Sequence, residues 1–316
     1  MSINIIRYQR DGEIRWGVVE HETIHELSGR YATTGDFIRA FSSTGLAKRS
    51  GTTVARSDVT LLSPVTSNQQ FVCQGANYRQ HMIESGMDPD VKTYNMIFTK
   101  AASCLCAADS DVIKPREVRF LDYEIELGLI IKKGITGPLT VTDKNLHEYV
   151  AGIVIVNDYS ARDVQIPQMQ FYKGKSFRTF GPVGPYLTLL DESEIGQLTN
   201  LELHLTVNGE TRQRDNTANM VYGPAETLTE LSRVQDFEPG DLIATGTPAG
   251  CALSIPSPGK QKIGALLPEA AKWKIFFKAQ ATRPQYLQAG DRVEATIKST
   301  SVDIHLGTQI NHIVDA

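Results

Sequence analysis

Glu124 and Glu126 stand two residues apart in the stretch Leu121-Asp122-Tyr123-Glu124-Ile125-Glu126-Leu127-Gly128-Leu129-Ile130-Ile131, which otherwise reads as a buried strand. Strand side chains alternate faces, so both carboxylates project the same way, about 7 Å apart. Two anions so placed repel each other unless water surrounds them or a cation sits between them. A solvated edge strand would meet the first condition and a divalent metal the second. Asp158 shifts the balance toward metal, because it follows the nearly continuous apolar run Tyr149 to Asn157, a pattern of burial on both faces. Three carboxylates without a thiol or imidazole form a hard oxygen set suited to Mg²⁺, Mn²⁺ or Ca²⁺. Octahedral Mg²⁺ keeps positions for water or substrate, and an open position is what Lewis-acid catalysis requires.

Three further clusters carry usable chemistry. His81 and Glu84 lie three apart and would be neighbours on a short helix, either as an imidazole general base oriented by a carboxylate or as an ordinary surface ion pair. In Gly174-Lys175-Ser176-Phe177 the lysine is either a solvated loop cation or a fixed donor to a carboxylate or developing oxyanion. This is no phosphate loop, since Met169 stands where the leading glycine would have to be. Gly246 and Gly250, in Thr245-Gly246-Thr247-Pro248-Ala249-Gly250, make either a tight turn or a place where backbone amides approach a ligand.

The elements that must position these groups divide the chain in two. Residues 1–62 are expected to form a small α/β domain: strands at Asn4 to Tyr8, Ile14 to Val19 and Thr23 to Leu27, then a helix at Gly35 to Phe41. Residues 63–316 form a predominantly β domain, with strands at Gln70 to Gln74, Glu124 to Ile131, Tyr149 to Asn157, Tyr186 to Leu190, Leu201 to Val207, Leu242 to Thr245 and Arg292 to Ile297. Asn208-Gly209 supplies the two positive φ angles of a type I′ hairpin turn after Leu201 to Val207. Helices are expected at Pro224 to Ser232 and, within the tract Ser254 to Gln288, at Pro268 to Lys278.

A net charge of −4 gives no reason to expect nucleic acid or an anionic membrane as partner, and small molecules are the expected ligands. No apolar run reaches the ~18 residues of a membrane span, so a soluble cytoplasmic protein is expected. Cys73, Cys104, Cys106 and Cys251 lack metal-site spacing and read as buried free thiols.

Taken in order, Gly75-x-Asn77-Tyr78-x-x-His81, Asp122-Tyr123-Glu124-Ile125-Glu126-Leu127, Asn157-Asp158-Tyr159-Ser160-Ala161-Arg162-Asp163, Gly174-Lys175-Ser176-Phe177 and Thr245-Gly246-Thr247-Pro248 resemble the fumarylacetoacetate hydrolase family from about Phe71 to Gly250. The resemblance implies an α+β, mixed β-roll or sandwich catalytic domain, often a homodimer, with Mg²⁺ or Mn²⁺ on Glu124, Glu126 and Asp158. It implies that His81 and Glu84 activate water from a lid segment, and that Arg162, Gln165, Lys175 and Thr247 contact substrate oxygens, with Gly246 beside them. Gln74 replaces the extra aspartate ligand of the longer hydrolases, so the chain is similar to the shorter group, the acylpyruvases and 2-hydroxyhepta-2,4-diene-1,7-dioate isomerases. Arg178 and the long Ser254 to Gln288 tract depart from the family pattern.

The expected chemistry is chelation of a 2-oxo acid or 1,3-dicarbonyl with stabilisation of an enolate. The preferred reaction is hydrolysis of a C–C bond in an acylpyruvate or fumarylpyruvate, in aromatic or amino-acid catabolism, with His81 as base and Lys175 stabilising charge. Oxaloacetate-type decarboxylation, or isomerisation of an unsaturated 2-oxo diacid, would use the same site. A silent metal-stabilised scaffold is the alternative from another class. A non-haem iron oxygenase would need two histidines with one carboxylate, and no such pair accompanies Glu124 and Asp158.

Overall fold

The computed structural model describes residues 2–44, 48–256 and 266–316. Its centre is the strand Ile125–Ile131, buried at every residue because it has a neighbour on each side. Val150–Asn157 runs antiparallel to it with Val156 opposite Glu126, and Leu242–Ala244 runs antiparallel along the other edge. The edge-strand reading of Glu124 and Glu126 is thereby excluded. The regular ladder begins at Ile125, one residue later than the pattern suggests.

From this centre the sheet continues through Leu242–Ala244 to Phe71–Gly75, which is parallel to it, and then to Met96–Thr99, which is antiparallel. In the other direction Val150–Asn157 pairs with Leu187–Leu189, and Leu187–Leu189 with Ile3–Arg10. The N-terminal strands Ile3–Arg10, Glu13–Glu20, Thr23–Leu27 and Arg49–Ala55 therefore extend the central sheet. The helix Thr34–Thr44 covers them, with Phe37 stacked on Trp16 at 4.9 Å between ring centroids.

A second sheet, in the order Glu210–Asn216, Leu201–Val207, Arg292–Ser299, His305–Asp315 and Val112–Lys114, packs across Ile125–Ile131 and Val150–Asn157. Leu201, Leu203, Leu205 and Val207 alternate inward, as their sequence pattern requires, and full burial of such a side chain contributes about 1.5–3 kcal/mol. Asn208 and Gly209 take φ of 52° and 81°, the type I′ geometry that closes this hairpin. The result is an α+β, predominantly β sandwich of mixed sheets.

His305–Asp315 is an eleven-residue strand that the hydropathy pattern does not reveal. The reason is that two of its inward positions are polar. Gln309 donates to the Pro182 carbonyl at 3.1 Å and Asn311 to the Ser110 carbonyl at 2.8 Å, so the buried amide donors of both have partners.

The helix expected near Pro268 spans Glu269–Gln280. Phe277 stacks on Phe120 at 6.0 Å, whereas Ile275 is exposed. Residues 257–265 of the Pro/Gly-rich part of that tract, Pro258 and Gly259 among them, lie outside the described residues. Among the described residues no helix is long and apolar enough to cross a membrane.

Candidate active site

The carboxylates converge because the backbone ties their segments together. The Glu124 N–H donates to the Asn157 side chain at 2.9 Å, and the Asp158 N–H donates back to the Glu124 carbonyl at 2.8 Å. Leu121–Asp122 pairs with Ser160–Ala161 just beyond, which sets Asp122 against Arg162. Glu124, Glu126 and Asp158 are all buried, and ligand oxygens from the three lie within 4.8 Å of one another.

The charges around them are unevenly matched. Arg162 donates to Asp122 at 2.8 Å, to Glu124, and to the Gln165 side chain at 2.8 Å. Lys175 donates to both Glu124 and Asp158. Lys100, which sequence reasoning overlooked, donates to Asp158 and, at 2.7 Å, to the Phe180 carbonyl. Four buried carboxylates thus face three buried cations. Glu126 is the one left over: among the described residues its side chain accepts only the Gly246 N–H, at 2.9 Å.

Protonation follows from this imbalance. Burial, with Asp158 and Glu124 nearby, pushes the Glu126 carboxyl well above the usual carboxylate range. Burial would raise Glu124 too, but Arg162 and Lys175 overcome it and hold Glu124 low. For Lys175 burial works to lower the pKa, and Asp158 and Glu124 reverse it. A divalent cation fits here on two observations of this structure: the donors are hard oxygens that converge, and their negative charge exceeds the cations available.

Lys175 reaches the cluster because two short helices, Arg162–Gln168 and Phe171–Lys175, pack closely. A Cβ at Gly174 would lie 2.8 Å from both the Gln165 backbone nitrogen and its Cβ, so only glycine permits this approach. Thr247 is enclosed, donates to the Ile125 carbonyl at 2.9 Å and accepts from Gln213 at 2.8 Å, which leaves a substrate at most one acceptor lone pair. Gln74 donates to Asn95 at 3.1 Å and Thr227 at 3.0 Å, while its carbonyl oxygen is enclosed without a partner among the described residues. Arg178 is exposed.

His81 and Glu84 share the helix Arg79–Glu84. His81 is half-buried, and its Nδ1 is enclosed with no hydrogen-bond partner among the described residues. Burial pushes its pKa below the ordinary imidazole value, Arg162 adds to the effect, and Glu124 and Glu84 oppose it. Glu84 is exposed and lines a neighbouring cavity of about 450 Å³.

Sequence alone singles out Glu124, Glu126, Asp158, His81, Glu84 and Lys175. It misses Lys100, and it quotes Asp122 and Asn157 within motifs without assigning them work. For Asp122 the alternation Asp122-x-Glu124-x-Glu126 was a signal. For Lys100, whose partner lies 58 residues away, there was none.

A family model described as fumarylacetoacetate (FAA) hydrolase C-terminal matches residues 70–314, and one described as Rv2993c-like, N-terminal, matches residues 4–64. The chain is 33% identical over 244 residues to oxaloacetate tautomerase YisK of Bacillus subtilis, covering 76% of this chain and 70% of that one. It is 34% identical over 262 residues to the mitochondrial oxaloacetate tautomerase FAHD2A of Bos taurus, covering 82% and 71%. Among solved structures, the fumarylacetoacetate hydrolase of Exiguobacterium antarcticum superposes with a TM-score of 0.75 at 29% identity, over 99% of this chain and 100% of that one.

Proposed function

This chain belongs to the fumarylacetoacetate hydrolase family, and on that premise we propose that it interconverts the enol and keto forms of a 2-oxo dicarboxylate of the oxaloacetate type. The observation that carries the proposal is an acidic cluster with a surplus carboxylate, Glu126, together with His81, which feels the charge of Glu124 and whose Nδ1 has no partner among the described residues. Glu124, Glu126 and Asp158 would hold Mg²⁺ or Mn²⁺, which when bound supplies Lewis-acid polarisation of a 2-oxo group.

The chain's own groups then manage protons. Ketonisation removes the enol O–H proton and adds one at C3, with no net change in atoms. His81, neutral at pH 7, is the group available to take and return the C3 proton. Lys175 and Arg162, buried and charged, orient the substrate's oxygens and counter the charge that develops on them.

Hydrolysis of an acylpyruvate would use the same acidic cluster but would add attack by water, which calls for an imidazole held in place by a partner. His81 and Glu84 make no such hydrogen bond among the described residues, and both tautomerases above are similar across most of this chain. Both points support tautomerisation over C–C cleavage.

The test follows the ultraviolet absorbance of enol-oxaloacetate with the Mg²⁺- or Mn²⁺-loaded protein, with acetylpyruvate and fumarylpyruvate assayed in parallel. Accelerated enol decay that is slowed by His81→Asn is expected. Cleavage of either acylpyruvate, or CO₂ release from oxaloacetate, without faster enol decay would overturn the proposal.

A further inference from the structure

The cavity of about 450 Å³ lies against the candidate active site and is of the size that takes a short substrate chain. Its lining includes Glu84, which shares a helix with His81, and Tyr123 and Cys251, which both feel the charge of Asp122. Tyr123 immediately precedes Glu124 and donates to the Gly250 carbonyl at 3.1 Å, and the Cys251 thiol feels the charges of Asp122, Glu124, Arg162 and Lys175. The cavity and the carboxylates are therefore adjacent compartments.

Two guanidinium groups line the same space. Arg212 comes from the strand Glu210–Asn216, and Arg283 from the long tract that departs from the family pattern. Arg212 pairs with Glu210 at 3.1 Å, but Glu210 is mostly exposed, and the Arg212 Nε is enclosed with no partner among the described residues. Arg283 spends its Nε on the Ala252 carbonyl at 2.5 Å, which fixes the plane of its guanidinium. Both charges act on the Tyr123 hydroxyl, so they approach the same part of the cavity. Among the described residues the carboxylates facing this space are Glu84 and Glu210. An enclosed N–H without an acceptor is a standing desolvation penalty, and a planar guanidinium matches a carboxylate in charge and geometry.

We propose that Arg212 and Arg283 bind the second carboxylate of the substrate and so select 2-oxo dicarboxylates over 2-oxo monocarboxylates. The proposal rests on the reading of the acidic cluster as a 2-oxo-acid site and adds the recognition of the substrate's far end.

Binding tests it without turnover. Calorimetric titration of the Mg²⁺-loaded full chain compares 2-oxoadipate with 2-oxohexanoate, which has the same chain length and one carboxylate fewer, and uses oxalate as a ligand for the acidic cluster alone. The wild type should prefer the diacid by about tenfold or more, as expected of a desolvated charge-assisted contact. Arg212→Met with Arg283→Met should bring the ratio near one and leave oxalate binding unchanged. Arg283→Met alone, at a half-buried position, should reduce the ratio by about threefold or more. Equal binding of the two acids by the wild type, or an undiminished ratio in the single variant, overturns the assignment even if the double variant fails to fold. Diacid preference without enol–keto activity refutes the proposed reaction and keeps this site; activity without diacid preference refutes this site alone.

Discussion

Replacing Lys100 by Met removes the cation that no sequence pattern announces. Its ammonium is fully enclosed and serves both Asp158 and the Phe180 carbonyl. Met keeps most of the volume, so the loss is electrostatic: Asp158 retains Lys175 alone, and a buried carbonyl loses its donor. Breaking a buried pair by removing one partner costs about 3–5 kcal/mol. An orphaned buried acceptor adds about 1–3 kcal/mol, and the surviving Lys175 contact offsets part of the total. A net loss of about 3–5 kcal/mol lowers Tm by roughly 5–8 °C in a chain of this size. A divalent cation on the same carboxylates would neutralise the stranded charge. Scanning calorimetry on chelated and Mg²⁺-saturated protein should therefore show a larger metal-induced rise in Tm for Lys100→Met than for wild type. A chelated variant as stable as wild type, or equal metal-induced shifts in the two proteins, would refute the charge balance drawn above.

Four other outcomes follow from the same geometry. Glu126→Gln should abolish Mg²⁺ and Mn²⁺ binding and turnover while leaving the metal-free protein as stable as wild type or more so; a variant that still binds metal and turns over would argue against the acidic cluster as the cation site. Because Glu126 has a raised folded-state pKa, the stability it contributes is fully present below the ordinary carboxylate range and is lost as pH rises through the raised value. Chelated wild type should thus lose stability as pH rises from about 4.5, and Glu126→Gln should flatten that dependence in pH-resolved melting curves. His81→Asn should lower kcat by about 10²–10⁴-fold with metal affinity intact, and the acid limb of the wild-type rate profile should lie below pH ~6.5. Gly174→Ala should cost about 1–3 kcal/mol of stability and reduce activity together, since its Cβ must push the two short helices apart and carry Lys175 from Glu124; unchanged melting and kinetics would show that the helices can yield.

Much of the site was legible in the chain because the relevant signals are local. Glu124 and Glu126 share a face by strand alternation, Asp158 marks the end of an apolar run, and Asn208-Gly209 dictates its own turn. The central strands and the inward leucines of Leu201–Val207 follow from the same two-residue period. Where an inward position is polar and bonded to a distant carbonyl, as at Gln309 and Asn311, that period is broken and the strand escapes notice.

By itself, then, the sequence determined the acidic metal-type cluster, its candidate base, and a predominantly β scaffold. Only the tertiary structure decided that Glu124 and Glu126 are buried in a central strand, that Lys100 and Lys175 converge on Asp158 from opposite directions along the chain, that Glu126 lacks a cation, and that Arg212 and Arg283 meet in one cavity. The physical reason is range. Face and turn preferences act between near neighbours, whereas charge balance is set by groups 17 to 58 residues apart that only the closed sheets bring within hydrogen-bonding distance.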